Sequence, residues 1–446
     1  MLDLGQYQVK RPTAREIAAT TEAAIRDGRL QTGEALPTIR ALARTLKTSP
    51  ATINSAYRIL RERGLVIADG RRGTRVAPRP ALRTAVRAPD RQRQHGRDLT
   101  IGLPDPALLP PIALALQRVD LERKLRFDAL DAPDPGLIQI ASEAFSSDGL
   151  DARALTVVAG AFDGLERVLQ AHLRPGDRVL VEDPAYIGVL DLLLALGLTP
   201  VPVPIDDAGL LPEPFEARLE RRPAAMIVVP RAQNPLGAAM GPEREAALRT
   251  ALERHPDVLV IEDDHAGGVA GARFSSLVAP GRPRWAVIRS VSKLLHPDLR
   301  LALMAGDPTT IARVEGRQAL GPRWVSHVLQ ALVAELLRDP DVARIIERAR
   351  DAYTSRREAL VEALAAHDLV AHGRSGLNVW VPVREEAPIV RALEQAGWRV
   401  LAGERFRLTS SPAVRITTSI LPEPAAVELA EVIAGVELAI RPRRLY

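Results

Sequence analysis

Between residues 157 and 289 five short apolar runs alternate with segments of helical periodicity: Val157 to Ala159, Arg178 to Glu182, Met226 to Pro230, Leu259 to Glu262 and Ala286 to Arg289. Each run ends in polar or small residues. That rhythm predicts strands and helices in alternation, hence a mainly parallel sheet covered on both faces. In such sheets ligands gather outside the carboxyl ends of the strands, so binding chemistry is expected at those five ends. After Asp307 helical segments dominate, at Trp324 to Arg338 and Pro340 to Ala366, and the stretches LNVWVPV, GWRVL and VRITTSI predict a small α+β subdomain. The body therefore spans 98–446, with a large part at about 98–335 and a small C-terminal part at about 340–446.

The fifth run leads into RSVSKLLHPDLRL at 289–301. One lysine, Lys293, stands beside Ser290 and Ser292, and Pro297-Asp298 bends the chain before Arg300. One amine for a carbonyl, with a hydroxyl and a guanidinium for a phosphate, is the donor set that pyridoxal 5'-phosphate (PLP) requires. The earlier strand ends supply complementary chemistry. Gly160-Ala161-Phe162 turns into a helix whose first N–H groups suit a phosphate. Tyr186 in EDPAY offers a ring to a planar cofactor. Asn234 in PRAQNPLG offers an amide to a phenolate oxygen. The EDDH segment at 262–265 offers a carboxylate to a pyridine nitrogen, but successive strand side chains point to opposite faces, so only one of Asp263 and Asp264 serves. Singly, each has a plainer reading: Asn234 as a turn residue before proline, the Asp pair as a helix cap, Tyr186 as core.

Charge divides the chain differently. Residues 1–97 hold 20 Lys or Arg against 8 Asp or Glu, leaving 40 against 47 for residues 98–446. A basic end on an acidic body is the footprint of a nucleic-acid-binding module. Helical spacing runs from Thr13 to Gly28, then from Thr38 as N-cap through Leu46, then from Ser49, with Pro50 in the first turn, to Gly64. The last two make a helix-turn-helix that turns Ser49, Thr52, Asn54 and Ser55 outward. LVIADGRRGTRVAP then predicts a hairpin with Arg71 and Arg72 at its tip, placed as a wing. Residues 77–97, rich in Pro and Arg, read as a basic linker.

The stretch GEALPTIRALARTLKTSPATINSAYRILRERGLV, with its LP-x-x-R and G-x-G-T elements, resembles the winged helix of the GntR family of transcription regulators. By that resemblance residues 1–76 form a DNA-binding domain in which Arg40, the start of the third helix at Ser49, Thr52 and Asn54, and the wing at Arg71, Arg72 and Gly73 meet double-stranded operator DNA. The N-P-x-G loop, acidic strand end, S-x-S-K and following Arg resemble the class I/II aminotransferases of PLP fold-type I over roughly 98–440. That resemblance implies Lys293 as the Schiff-base lysine, Asp263 at the pyridine nitrogen, Asn234 at O3′, Ser290 and Arg300 at the phosphate with Ala161 and Phe162, and Tyr186 stacked on the ring. It also implies Arg415, in AVRITTSIL, at a carboxylate of the effector. The two halves together resemble the MocR subfamily, and DDH, RSVSK-x-L-x-PDLRLA and WVSH are similar to its PtsJ-like branch. His265 stands where most members have tyrosine near O3′, and the segment DAPDPGLIQ lacks their aromatic residue.

The expectation is a PLP-binding, DNA-binding bacterial transcription regulator whose body senses PLP or a PLP–amine adduct, with control of vitamin B6 metabolism implied by the branch. A working aminotransferase carrying a DNA-binding appendage is the alternative. The resemblance implies a homodimer. The chain has no cysteine, which excludes disulfides, thiolate metal sites and cysteine nucleophiles. Lacking an apolar leader near its start or any run of about 18 apolar residues, it reads as cytoplasmic.

Overall fold

The computed structural model describes residues 13–26, 29–31, 33–62, 65–68, 73–76, 97–120, 122 and 132–440, which belong to two compact units. Arg71, Arg72 and linker residues 77–96 lie outside the described residues.

The N-terminal unit contains α1 (Ala14–Arg26), α2 (Ile39–Thr45), α3 (Pro50–Glu62) and the antiparallel pair β1 (Val66–Ala68) and β2 (Thr74–Val76), in register Val66 to Val76. Apolar residues at helical spacing, Ile17 and Ala18 on α1, Leu42 and Ala43 on α2, Ile53, Ala56, Tyr57 and Leu60 on α3, converge on Val66 and Val76 of the hairpin. The turn between α2 and α3 carries Lys47 at φ 49, and the buried Tyr57 hydroxyl donates to Pro37 O at 2.7 Å. This is a winged helix-turn-helix.

The body is built on an eight-stranded mixed sheet: β3 (Leu155–Val158), β4 (Arg178–Asp183), β5 (Thr199–Asp206), β6 (Gly209–Leu210), β7 (Ala225–Val228), β8 (Leu259–Asp264), β9 (Trp285–Ser290) and β10 (Ala302–Gly306). Their order is β3-β10-β9-β8-β7-β4-β5-β6. The pairs β4–β7, β7–β8 and β8–β9 are parallel, whereas β10 runs antiparallel to both β9 and β3, Ala302 pairing with Ser290 and with Val158. All five strands expected from the sequence are present. Three more are added to them: β5, β6 and β10.

The reasons for those omissions are physical. The prolines of β5, Pro200, Pro202 and Pro204, argue against a strand, yet their alternate spacing places every missing N–H along one edge and leaves the other edge its donors. Residues Ala302 to Gly306 are all buried, so they show no alternation, and their apolar run merges with the lysine loop before it. The helix expected from Trp324 begins later, at His327, because Arg323 has a φ of 67 that breaks helical geometry just upstream.

Three further elements matter for the site. Helix α4 (Ala161–His172) follows β3, and the long α5 (Pro340–Ala365) leads to the small subdomain. There β11 (Asn378–Pro382), β12 (Leu401–Ala402) and β13 (Ala413–Thr417) form an antiparallel sheet in the order β11-β13-β12. Val379, Val381, Val414 and Ile416 of that sheet share a core with Leu360 and Leu364 of α5, Ile389, Leu393, Trp398, Leu429 and Ile433, and with Leu99 from far upstream.

Candidate functional site

The parallel strands β4, β7, β8 and β9 deliver their carboxyl ends to one side of the sheet, and the side chains there divide into those that build the walls and those that face the cleft. Strand β8 shows the division within two residues. Asp264 is fully buried and saturated: Arg231 donates to it through Nε at 2.9 Å and Nη2 at 2.8 Å, and Arg289 through Nε at 2.8 Å. Burial alone would raise its pKa, but the two guanidiniums hold its carboxyl below the ordinary range. Asp263, on the opposite face, is buried with Oδ1 lacking any hydrogen-bond partner. Burial and the Asp264 charge push it up to about 7. A buried carboxyl oxygen without a donor is costly, and a protonated pyridine nitrogen is a donor suited to it. The residues thus fit the cofactor, and of the two aspartates Asp263 is the one left with a buried oxygen free to accept.

Lys293 follows β9 and is half-buried. Burial first, then the charges of Arg415 and Arg300, lower its amine to about 8. Its Nζ donates to the carbonyl of Gly102. Ser290, at the end of β9, is buried, with its Oγ 2.9 Å from Ser292 Oγ and accepting from the Ser292 amide at 3.2 Å.

The elements expected at a phosphate meet at the start of α4. Gly160 caps that helix with a φ of 97 and brings no side-chain cap, leaving the first turn of N–H groups to another acceptor. The Arg300 guanidinium lies against Gly160: a Cβ there would stand 3.0 Å from Nη2. Helix terminus and cation therefore converge on one spot, beside Ala161 and Phe162. The Phe162 ring meets Tyr186 edge to face at 5.7 Å, and Tyr186 is 36% exposed.

Across the cleft, Arg415 projects from β13. Its Nη1 donates to Asn234 Oδ1 at 3.3 Å, its Nη2 to Thr100 O, and the guanidinium packs on the Phe406 ring at 5.1 Å. Burial lowers it to about 10 while its Nε has no partner. The Asn234 loop is fixed by Gln233, whose Nε2 donates to Glu182 Oε2 at 3.1 Å and Pro184 O at 2.8 Å while its Oε1 accepts from the Leu236 amide at 2.9 Å. His265 follows Asp264 and is half-buried; burial and the neighbouring Lys293 charge push its imidazole down to about 4, so it is an uncharged group near neutral pH.

Lys293, Asp263, Asn234, His265, Ser290, Arg300 and the start of α4 thus stand at one end of the large sheet, and Arg415 reaches them from β13 through Asn234. Several contributors carried no sequence signal. Thr100 and Gly102 act through backbone carbonyls, which no side chain announces. Phe406 and Gln233 support others by packing and hydrogen bonding. Asp183 gathers five donors, the amides of Leu408, Thr409 and Ser410 and the hydroxyls of Thr409 and Ser410, and so ties residues 408–410 to the end of β4.

In the winged helix, Arg40 and Asn54 are exposed, Thr52 is half-buried and Gly73 is exposed at φ 88. Ser49 is exposed, but its Oγ accepts from the Thr52 amide at 3.0 Å and lies 2.8 Å from Thr52 Oγ1. Part of its polar capacity is committed to capping α3.

The model of bacterial regulatory proteins of the gntR family matches residues 6–76, and that of aminotransferase class I and II matches residues 143–433. The chain is 36% identical to the vitamin B6 salvage pathway transcriptional repressor PtsJ of Salmonella typhimurium, over 92% of this chain and 95% of that protein. It is 30% identical to the HTH-type transcriptional regulator TauR of Rhodobacter capsulatus, over 79% and 80%. Kynurenine aminotransferase from Pyrococcus horikoshii shares the fold at a TM-score of 0.71 and 21% identity, covering 78% of this chain and 92% of that structure. A gntR-type winged helix followed by an aminotransferase fold, matched nearly end to end by a regulator of the same construction, places this chain in the MocR subfamily of GntR-type transcription regulators.

Proposed function

We propose that this chain is a DNA-binding transcription regulator that holds PLP at Lys293 and uses occupancy of that cleft, by PLP or a PLP–amine adduct, to set its affinity for operator DNA. The observation that carries the reading is the pairing, near one cleft, of a donor-less buried Asp263 oxygen with a lysine whose pKa is lowered to about 8, in a chain that also bears a winged helix. When bound, PLP supplies an aldehyde for an amine and an electron-poor ring.

The chain's own groups would divide the work. Lys293 would take the aldehyde and Asp263 the ring nitrogen. The start of α4 at Ala161 and Phe162, Ser290 and Arg300 would hold the phosphate. Tyr186 would stack on the ring, Asn234 and His265 would lie at O3′, and Arg415 would take a carboxylate. A neutral imidazole at 265 is smaller than a phenol and does not reproduce its geometry or acidity, which favours holding a signal over rapid turnover. The name of the Salmonella relative supports genes of vitamin B6 salvage as the target. No helix among the described residues is long and apolar enough to cross a membrane, in keeping with a cytoplasmic site of action. The likeness to the class I and II aminotransferases supports a homodimer.

The test is an absorbance titration of the full chain with PLP, with and without DNA from upstream of its own gene. A PLP-dependent absorbance change and a shifted operator affinity, both lost in Lys293→Ala, are expected. No absorbance change, together with a Lys293→Ala variant that keeps PLP-dependent operator binding, would refute the reading. Turnover is the second reading, favoured by the nearly complete donor set; repeated keto acid formation from common amino acids would establish it.

A further inference from the structure

The segment Thr100 to Gly102 touches both cations that an effector would need. Gly102 O accepts from Lys293 Nζ, and Thr100 O accepts from Arg415 Nη2. On its upstream side the chain is anchored to the small subdomain: the Leu99 amide donates to Arg399 O at 2.9 Å, Leu99 O accepts from the Thr417 amide at 3.0 Å, and Asp98 pairs with Arg399 at 3.0 Å. Asp98 Oδ1 also accepts from the amide and hydroxyl of Thr100, at 3.1 and 2.5 Å. Downstream, Ser419 Oγ donates to Leu103 O at 2.6 Å, and Asp105 pairs with Arg356 at 2.9 Å. Between those anchors the Thr100 hydroxyl is the polar side-chain tie, and the apolar side chains are only partly covered, Ile101 being 42% and Leu103 43% exposed.

We propose that residues 100–102 are a strap that satisfies Lys293 and Arg415 through its own carbonyls, and that cofactor attachment at Lys293 releases it. This rests on the PLP-binding reading above. When the neutral amine captures an aldehyde, nitrogen forms a double bond to the aldehyde carbon, and the aldehyde oxygen departs as water with the two hydrogens of the amine. Gly102 O then loses its donor. An effector carboxylate at Arg415 removes the donor of Thr100 O in the same way. A backbone carbonyl stripped of its donor in a partly buried place is unfavourable, and lifting a strap whose Ile101 and Leu103 are already 42% and 43% exposed forfeits only the remaining burial of those side chains.

The strap also has a direction of output. Upstream of Leu99, Arg97 stacks on Trp398 at 4.7 Å and donates to Ala396 O at 2.9 Å, so the segment that leads towards the winged helix starts from the small subdomain, the part that carries Arg415. Release of the strap frees that subdomain and the start of the linker together, giving occupancy of the cleft a covalent route to the DNA-binding end.

Hydrogen exchange of the peptide spanning 98–105 tests this on the full chain, with and without PLP and with absorbance read on the same samples. Ligands ordinarily slow exchange near their site; here the Thr100 and Leu103 amides are expected to exchange several-fold faster with PLP. The double variant Asp98→Ala, Ser419→Ala, loosened at both ends, is expected to show fast strap exchange without PLP, to bind PLP about two- to tenfold more tightly, and to bind operator as the PLP-saturated native chain does. Thr100→Val, which removes only one hydroxyl bond, is expected to move the same way by less and serves if the double variant fails to fold. Absorbance showing PLP attached while strap exchange is unchanged or slowed would overturn the strap alone. No absorbance change overturns the cofactor reading and the strap with it.

Discussion

Asp263 and Asp264 are neighbours on one strand and opposites in environment: the second is bonded by two arginines, and the first has a buried oxygen with no donor at all. Their substitutions are therefore expected to separate function from stability. Asp263→Asn weakens PLP binding by about 10- to 150-fold, the loss of one hydrogen bond to a charged group. Because its folded pKa is raised to about 7, the folded state holds the extra proton, and the associated stability declines as pH rises from about 4 to about 7. Asp263→Asn consequently stabilises the protein without cofactor above pH 7, by about 1–3 kcal/mol. Asp264→Ala leaves the mostly buried Arg231 without its carboxylate, although Arg289 keeps Asp148 at 2.6 Å, and costs about 3–5 kcal/mol. The Asp264 contribution is present above about pH 4 and is lost as pH falls through its lowered folded value. Denaturant unfolding against pH, paired with PLP titration, checks both.

The amine of Lys293, lowered to about 8, sets the pH dependence of cofactor capture. Below that value the neutral fraction rises about tenfold per pH unit, and above it the fraction levels off. The observed rate of absorbance change on mixing with PLP is expected to follow that curve with its bend near pH 8. A rate still climbing at pH 9.5 would show a lysine with an ordinary pKa.

His265 should titrate far from its usual range. With a folded value near 4 and an unfolded one near 6.5, stability tied to the neutral imidazole is present above about 6.5 and is lost as pH falls towards 4. His265→Asn is expected to flatten the stability profile in that window by about 1–3 kcal/mol, and PLP bound to the native chain should show no spectral step near pH 6.5. Thermal unfolding and absorbance across pH 4 to 8 test both statements.

In α3, Ser49 and Asn54 are expected to respond differently. Ser49→Ala removes the cap at the Thr52 amide and lowers winged-helix stability by about 1 kcal/mol. Asn54→Ala leaves stability unchanged, since Asn54 is exposed, and reduces operator affinity by about 1–3 kcal/mol at one base position. Unfolding curves and operator binding measured on the same preparations separate the two.

Much of this molecule was legible in the order of its residues, because the relevant signals are local. Helical spacing in α1 to α3, capping by Thr38 and Ser49, the wing hairpin, and the apolar runs of β3, β4, β7, β8 and β9 each follow from residues within a few positions of one another. The strand ends marked where ligand chemistry is expected, since fold class alone says where a mainly parallel sheet puts its ligands. Tertiary structure decided what depends on partners distant in the chain. Which aspartate keeps a free buried oxygen was decided by Arg231 and Arg289, 33 and 25 residues away from Asp264, which saturate one carboxylate and leave the other. The strand character of Ala302 to Gly306 was settled by β9 and β3 on either side. The strap was invisible because its contacts are made by carbonyls, identical in every residue, and Thr100 and Gly102 reach Arg415 and Lys293 across 315 and 191 positions. A side-chain pattern records local preference, whereas the backbone partner of a buried cation is chosen only when the chain closes on itself.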